Sequence, residues 1–121
     1  MLLEIRPEEI NVAYMLGLTY VQAREYEKGQ FYFQALVDEN RRLDESFYYL
    51  GMTAEELGDS EQAQAMYLEV AFGEWYLEAS MRLADLYYET EGVDKAREHL
   101  KSVRDDLQDV GNVVRIYLAE G

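Results

Sequence analysis

The sequence predicts an all-α chain, an α-solenoid of about three helix-turn-helix repeats with flanking partial repeats. Three observations predict it. Leu16-Gly17 recurs as Leu50-Gly51, 34 residues on, and as Leu83-Ala84 after a further 33. A fixed period of this size marks stacked helical hairpins, each burying its apolar stripe against its neighbours. The 121 residues include one proline, which suits long helices because proline removes a donor and clashes inside them. Hydrophobic residues make up 49% and charged residues 30%, a balance that supports a packed core rather than disorder.

The elements follow in order from this ruler. With Ile10 as position 1, Leu16, Gly17 and Tyr20 fall at positions 7, 8 and 11, Gly29 at 20 and Phe33 at 24. The second unit starts at Asp44 and places Phe47 at 4, Leu50 at 7, Gly51 at 8, Ala54 at 11, Ala63 at 20 and Tyr67 at 24. The third starts at Leu77 and places Leu83 at 7, Ala84 at 8, Tyr87 at 11, Ala96 at 20 and Leu100 at 24. Small residues at 8 and 20 let two backbones approach. Large ones at 4, 7, 11 and 24 fill the space around that contact. Leu57-Gly58-Asp59-Ser60 reads as a glycine helix stop followed by an N-cap. Glu91-Gly92-Val93-Asp94 repeats that punctuation, and Phe72-Gly73 and Val110-Gly111 mark the ends of second helices. Helices are expected near 8–24, 26–38, 43–57, 60–72, 75–90, 93–108 and 111–120.

The pattern resembles the tetratricopeptide repeat family, whose units read W-x2-L-G-x2-Y and then A-x3-F. Three units agree in phase over most of the chain. Departures are local. Ala13, Phe47 and Ser80 stand at the tryptophan-like position, Ala54 replaces a tyrosine, and Gly29 replaces an alanine at a helix-propensity cost of about 1 kcal/mol. The repeats are expected at 10–43, 44–76 and 77–110. Residues 1–9 look like the close of a preceding repeat, with Pro7 where the family often carries proline, and 111–121 like the first helix of a fourth. Such half-repeat ends, in place of polar capping repeats, suggest an excerpt from a longer array.

Composition narrows the partners. There are 11 basic and 25 acidic residues, a net charge of −14, which repels phosphate backbones and anionic lipid and favours basic or apolar partners. No apolar run approaches the roughly 20 residues that span a bilayer, and the first residues show no signal-peptide pattern. Zero cysteines exclude disulfides and thiolate metal sites and leave the compartment open.

Catalytic constellations are missing. The one histidine, His99, lies among Arg97, Glu98 and Lys101 and reads as a solvated surface residue. It completes no nucleophilic triad and no zinc ligand set. The adjacent acid pairs Glu8-Glu9, Glu55-Glu56 and Asp105-Asp106 point to different sides of a helix. Phosphate-cradling glycine motifs are absent. The sequence therefore predicts no enzyme and no cofactor.

What remains is a surface. In the resembled family, positions 2, 5, 6, 9, 12 and 13 of each first helix line a concave groove. The resemblance thus implies a peptide-binding groove of Tyr14, Met15, Leu18, Tyr48, Tyr49, Met52, Glu55, Met81, Arg82, Asp85 and Tyr88. Asn11, Val21, Gln22, Glu45, Glu56, Glu78, Glu89 and, in the partial fourth repeat, Asn112, Arg115, Ile116 and Ala119 fall on the same face. Tyrosine gives large contact area at low entropic cost, and methionine adapts to varied partners. Only Arg82 is basic among the positions of the family's carboxylate clamp, so no clamp is expected. The predicted role is a non-catalytic scaffold that binds an apolar or basic peptide or helix in this groove. The alternative is a structural spacer or self-association module, a second copy covering the exposed repeat ends.

Overall fold

The computed structural model describes the backbone of residues 6–71 and 73–120, and the side chains of that range except those of 7 and 109–120. The described residues form six helices: α1 (Pro7–Gln22), α2 (Tyr26–Asp38), α3 (Leu43–Glu56), α4 (Ser60–Leu68), α5 (Gly73–Glu91) and α6 (Val93–Glu120). The chain divides into two compact units, Met1–Ala79 and Ser80–Gly121.

In the first unit, α1 packs on α2, α2 on α3 and α3 on α4. The predicted glycine contacts set these spacings. A Cβ on Gly17 would lie 2.8 Å from the Phe33 ring, and one on Gly51 would lie 2.6 Å from the Tyr67 ring. The two contacts are the same contact one repeat apart. A Cβ on Gly29 would lie 3.0 Å from Val21 Cγ2 and 3.4 Å from the Gly17 carbonyl, so its lost helix propensity accompanies a close approach of two backbones. Ile10, Phe33, Leu36 and Leu50 form the buried cluster, with Tyr14, Leu18, Val21, Phe47, Tyr49 and Met66 packed against it.

The turns repeat with the helices. Arg24, Gly58 and Gly92, at intervals of 34 residues, carry positive φ of 63°, 81° and 101°. This left-handed residue ends a helix and lets the next amide reach back to an orphan carbonyl. Glu25 N–H donates to the Tyr20 carbonyl at 2.9 Å, and Asp59 N–H to the Ala54 carbonyl at 2.8 Å. Asp59 then caps α4, its carboxylate accepting from Gln62 N–H at 3.1 Å. At the start of the chain Pro7 opens α1, and Glu9 accepts from Arg6 N–H at 3.2 Å. The rest of the expected preceding repeat, residues 1–5, lies outside the described residues.

Two boundaries differ from expectation. α4 ends at Leu68, not at 72. There Glu69 and Val70 close back onto Met66 and Tyr67, Val70 is buried, and Asp44 accepts from Ala71 N–H at 2.9 Å. Gly73, with φ of 69°, thus begins α5 rather than ending the helix before it. The break expected at Val110-Gly111 is also absent, and α6 runs on to Glu120. One glycine inside a helix costs about 1 kcal/mol, which does not stop it by itself.

Two expected core leucines are exposed. Leu16 is 36% exposed, whereas its counterpart Leu50 is buried against Ile10, Phe33 and Leu36 of the preceding hairpin. α1 has no preceding hairpin among the described residues. Leu100 is 46% exposed in the second unit. There Ala84 carries the Cβ that Gly17 and Gly51 lack, and α6 turns Ala96, His99 and Val103 inward instead. His99 is correspondingly half-buried and not a solvated residue. Its Nε2 lies 3.0 Å from the Ser80 carbonyl, and its ring meets Tyr87 edge-on at 5.3 Å. A carbonyl only accepts, so Nε2 carries the proton.

Candidate functional site

Side chains from α1, α3 and the start of α5 converge in the first unit. They line an open groove of about 510 Å³ formed by Leu18, Val21, Gln22, Tyr48, Tyr49, Met52, Glu74, Trp75 and Glu78. Three-to-four-residue spacing on α1 brings Leu18, Val21 and Gln22 to one face. Tyr48, Tyr49 and Met52 do the same on α3, and Glu74, Trp75 and Glu78 on α5.

The floor is aromatic. Tyr49 stacks on Phe33 with centroids 5.0 Å apart and rings 13° from parallel. Tyr48 meets Tyr49 edge-on at 5.2 Å, and Trp75 lies 5.1 Å from Tyr48 and 5.6 Å from Tyr49. Offset and edge-on contacts of this kind rigidify a surface. Tyr48 is buried, while Tyr49, Met52 and Trp75 are half-buried and Glu74 and Glu78 exposed. The groove therefore offers apolar area with two carboxylates, one helical turn apart, on a single wall.

Beside it, Arg42 ties α1 to α3. Its guanidinium donates to Asn11 Oδ1 at 2.7 Å and to Glu45 Oε2 at 2.9 Å, and lies 4.4 Å from the Tyr14 ring centroid. Tyr14 also meets Phe33 and Tyr49 edge-on, at 6.0 and 6.3 Å. Burial, and then the Glu45 carboxylate, push the Tyr14 hydroxyl well above its ordinary value of 10.0, while Arg42 pulls the other way.

Of the sequence-predicted site residues, Leu18, Tyr48, Tyr49 and Met52 come together in the groove. Tyr14 stands next to it within the Arg42 network. Met15 is exposed on α1 outside the lining. Glu55 is half-buried and accepts from the Tyr67 hydroxyl at 2.5 Å, which ties its carboxylate to the core. Met81, Arg82, Asp85 and Tyr88 belong to the second unit, where Met81, Asp85 and Tyr88 are exposed and Arg82 is half-buried. Trp75 and Glu74 are the residues that sequence reasoning missed. They precede the expected third repeat and reach the groove because α5 starts at Gly73. The signal available was the sole tryptophan, flanked by glutamates at helical spacing.

Two family models, each described as a tetratricopeptide repeat, match the chain, one at residues 10–42 and one at 45–71. The chain belongs to the tetratricopeptide repeat family. Both matches fall within the two hairpins whose glycine contacts and turns repeat. Tetratricopeptide repeats generally mediate protein–protein interaction and are typically non-enzymatic, so a protein partner is implied. No curated protein matches the chain. No group of three or more metal-ligating side chains occurs among the described residues, and no described helix is long and apolar enough to cross a membrane.

Proposed function

We propose that the first unit is a binding module that takes an apolar or basic segment of a partner protein in the groove between α1, α3 and α5. The observation that carries this reading is an open groove with an aromatic and methionine floor and an acidic wall. Half-exposed Tyr49, Met52 and Trp75 are the residue types that dominate interface energetics. The net charge of −14 steers basic partners toward it. Tyr14 is committed to Arg42 and Glu45 and acts as a wall, not an anchor. In this reading the repeats are 10–43, 44–76 and 77–110, and Met81, Arg82, Asp85 and Tyr88 form a further docking face of the second unit.

The test uses capped peptides selected from a random library against the whole chain. Trp75→Ala should weaken the selected peptides by about 1–2 kcal/mol or more, whereas Phe31→Ala, exposed and outside the groove lining, should not. Equal binding by a folded Trp75→Ala variant excludes the groove.

A second reading has its own observation. Val93, Leu100 and Leu107 are 55%, 46% and 47% exposed on α6. Their spacing of seven residues makes a stripe of coiled-coil type. α6 carries five basic against six acidic residues, so its length brings little of the chain's negative charge to repel a second copy. In this reading a second copy pairs along α6.

A further inference from the structure

The chain already contains a guanidinium site. Asn11 and Glu45 supply oxygen acceptors at 2.7 and 2.9 Å, the Tyr14 ring supplies a π face, and Arg42 fills the space between them. These groups sit at fixed places in the repeat, and one repeat further the same places are found again. Asn11 becomes Glu45, Tyr14 becomes Tyr48, Glu45 becomes Glu78, and Arg42, three residues before Glu45, becomes Trp75, three before Glu78. The second site therefore keeps the aromatic ring and the acceptors, and Trp75 lies 5.1 Å from the Tyr48 ring where Arg42 lies over Tyr14. It is also where the structure opens into the groove lined by Tyr48, Tyr49, Glu74, Trp75 and Glu78.

We propose that this site takes an arginine side chain of the partner, its guanidinium lying against Trp75 and Tyr49 and paired with Glu74 and Glu78. The inference rests on the groove reading above and names the side chain the groove selects. Tyr48 is 7% exposed, with Trp75 against its ring, so the accessible π surface belongs to the half-buried Trp75 and Tyr49. Tryptophan is the strongest aromatic partner for a cation. Two carboxylates at i and i+4 on α5 match the planar, multi-donor guanidinium better than they match an ammonium. A partly desolvated groove also raises the worth of each contact relative to the open surface. Arg42 shows with the chain's own side chain that a carboxylate, an amide oxygen and a tyrosine ring on these elements hold a guanidinium.

Trp75 is the only tryptophan, so its fluorescence reports occupancy directly. The probes are a capped amphipathic peptide of leucine, alanine and arginine and its twin with citrulline, a neutral isostere, at every arginine. Both are titrated into the whole chain. The arginine peptide should perturb Trp75 emission and bind about tenfold tighter than the citrulline peptide. In the exposed pair Glu74→Gln/Glu78→Gln that preference should fall to near unity. Glu27→Gln/Glu61→Gln, which removes the same charge away from the groove, should keep it. Equal binding of the two peptides overturns the arginine site and leaves the groove reading standing. Equal loss of preference in both double variants also overturns it, because the attraction is then the diffuse field of an acidic chain. Failure of both peptides to perturb Trp75 overturns the arginine site and the groove together.

Discussion

At Gly51 an added Cβ would meet the Tyr67 ring at 2.6 Å, and Tyr67 is 2% exposed with its hydroxyl on Glu55. The ring has nowhere to go without breaking that hydrogen bond. Gly51→Ala should therefore destabilise by about 1–3 kcal/mol despite alanine's better helix propensity, as read from urea unfolding. An unchanged midpoint would show that the hairpin relaxes freely. Tyr14 gives a second residue-scale expectation. Burial and Glu45 hold its hydroxyl protonated in the folded state, above the ordinary value of 10.0 that the unfolded chain shows. Above that pH the unfolded chain gives up the proton and the folded chain keeps it, so stability falls as pH rises further. Below it, the group contributes no pH dependence. Tyr14→Phe should lose this alkaline decline, measured as the difference in unfolding midpoint between about pH 8 and pH 11. A decline as steep as in the wild type would remove Tyr14 as its source. The small-residue contacts were legible in the sequence because a glycine opposite an aromatic recurs at fixed spacing. The Arg42 network was not, because it joins Asn11 to a residue 31 positions away with a positive φ of 45°, and neither fact has a local signature.

At the scale of the element, turns decided which expectations held. Gly58 and Gly92 were readable as helix stops because glycine is the residue that reaches positive φ without strain. Arg24 does the same work in the first hairpin, at φ of 63°, with a residue that announces nothing. The shortened α4 and the early start of α5 hid Trp75, since the Asp44 side chain and the buried Val70 that set this loop act through tertiary contacts. In α6 the repeat register gave way. His99 turned inward, and Leu100 joined Val93 and Leu107 on the exposed side. If that stripe pairs two chains, sedimentation equilibrium should give a dimer that Leu100→Glu/Leu107→Glu dissociates to monomer. A wild-type monomer at high micromolar concentration would end the self-association reading.

At the scale of the whole molecule, a helical repeat turns sequence period into surface. The resemblance to tetratricopeptide repeats, phased by the 34-residue period, implies that Leu18, Tyr48, Tyr49 and Met52 share one face, and all four line the groove. It could not place Trp75, because the wall that completes the groove begins outside the repeat's own register. The central claim is that this groove, and not the outer face of the hairpins, receives the partner. Amide shifts of the whole chain, followed while the capped leucine–arginine peptide is added, test it most directly. Shifts should concentrate at Leu18, Val21, Tyr49, Met52, Trp75 and Glu78 and saturate together. Shifts that instead gather around Phe31 and Leu57, or that never saturate, would contradict it.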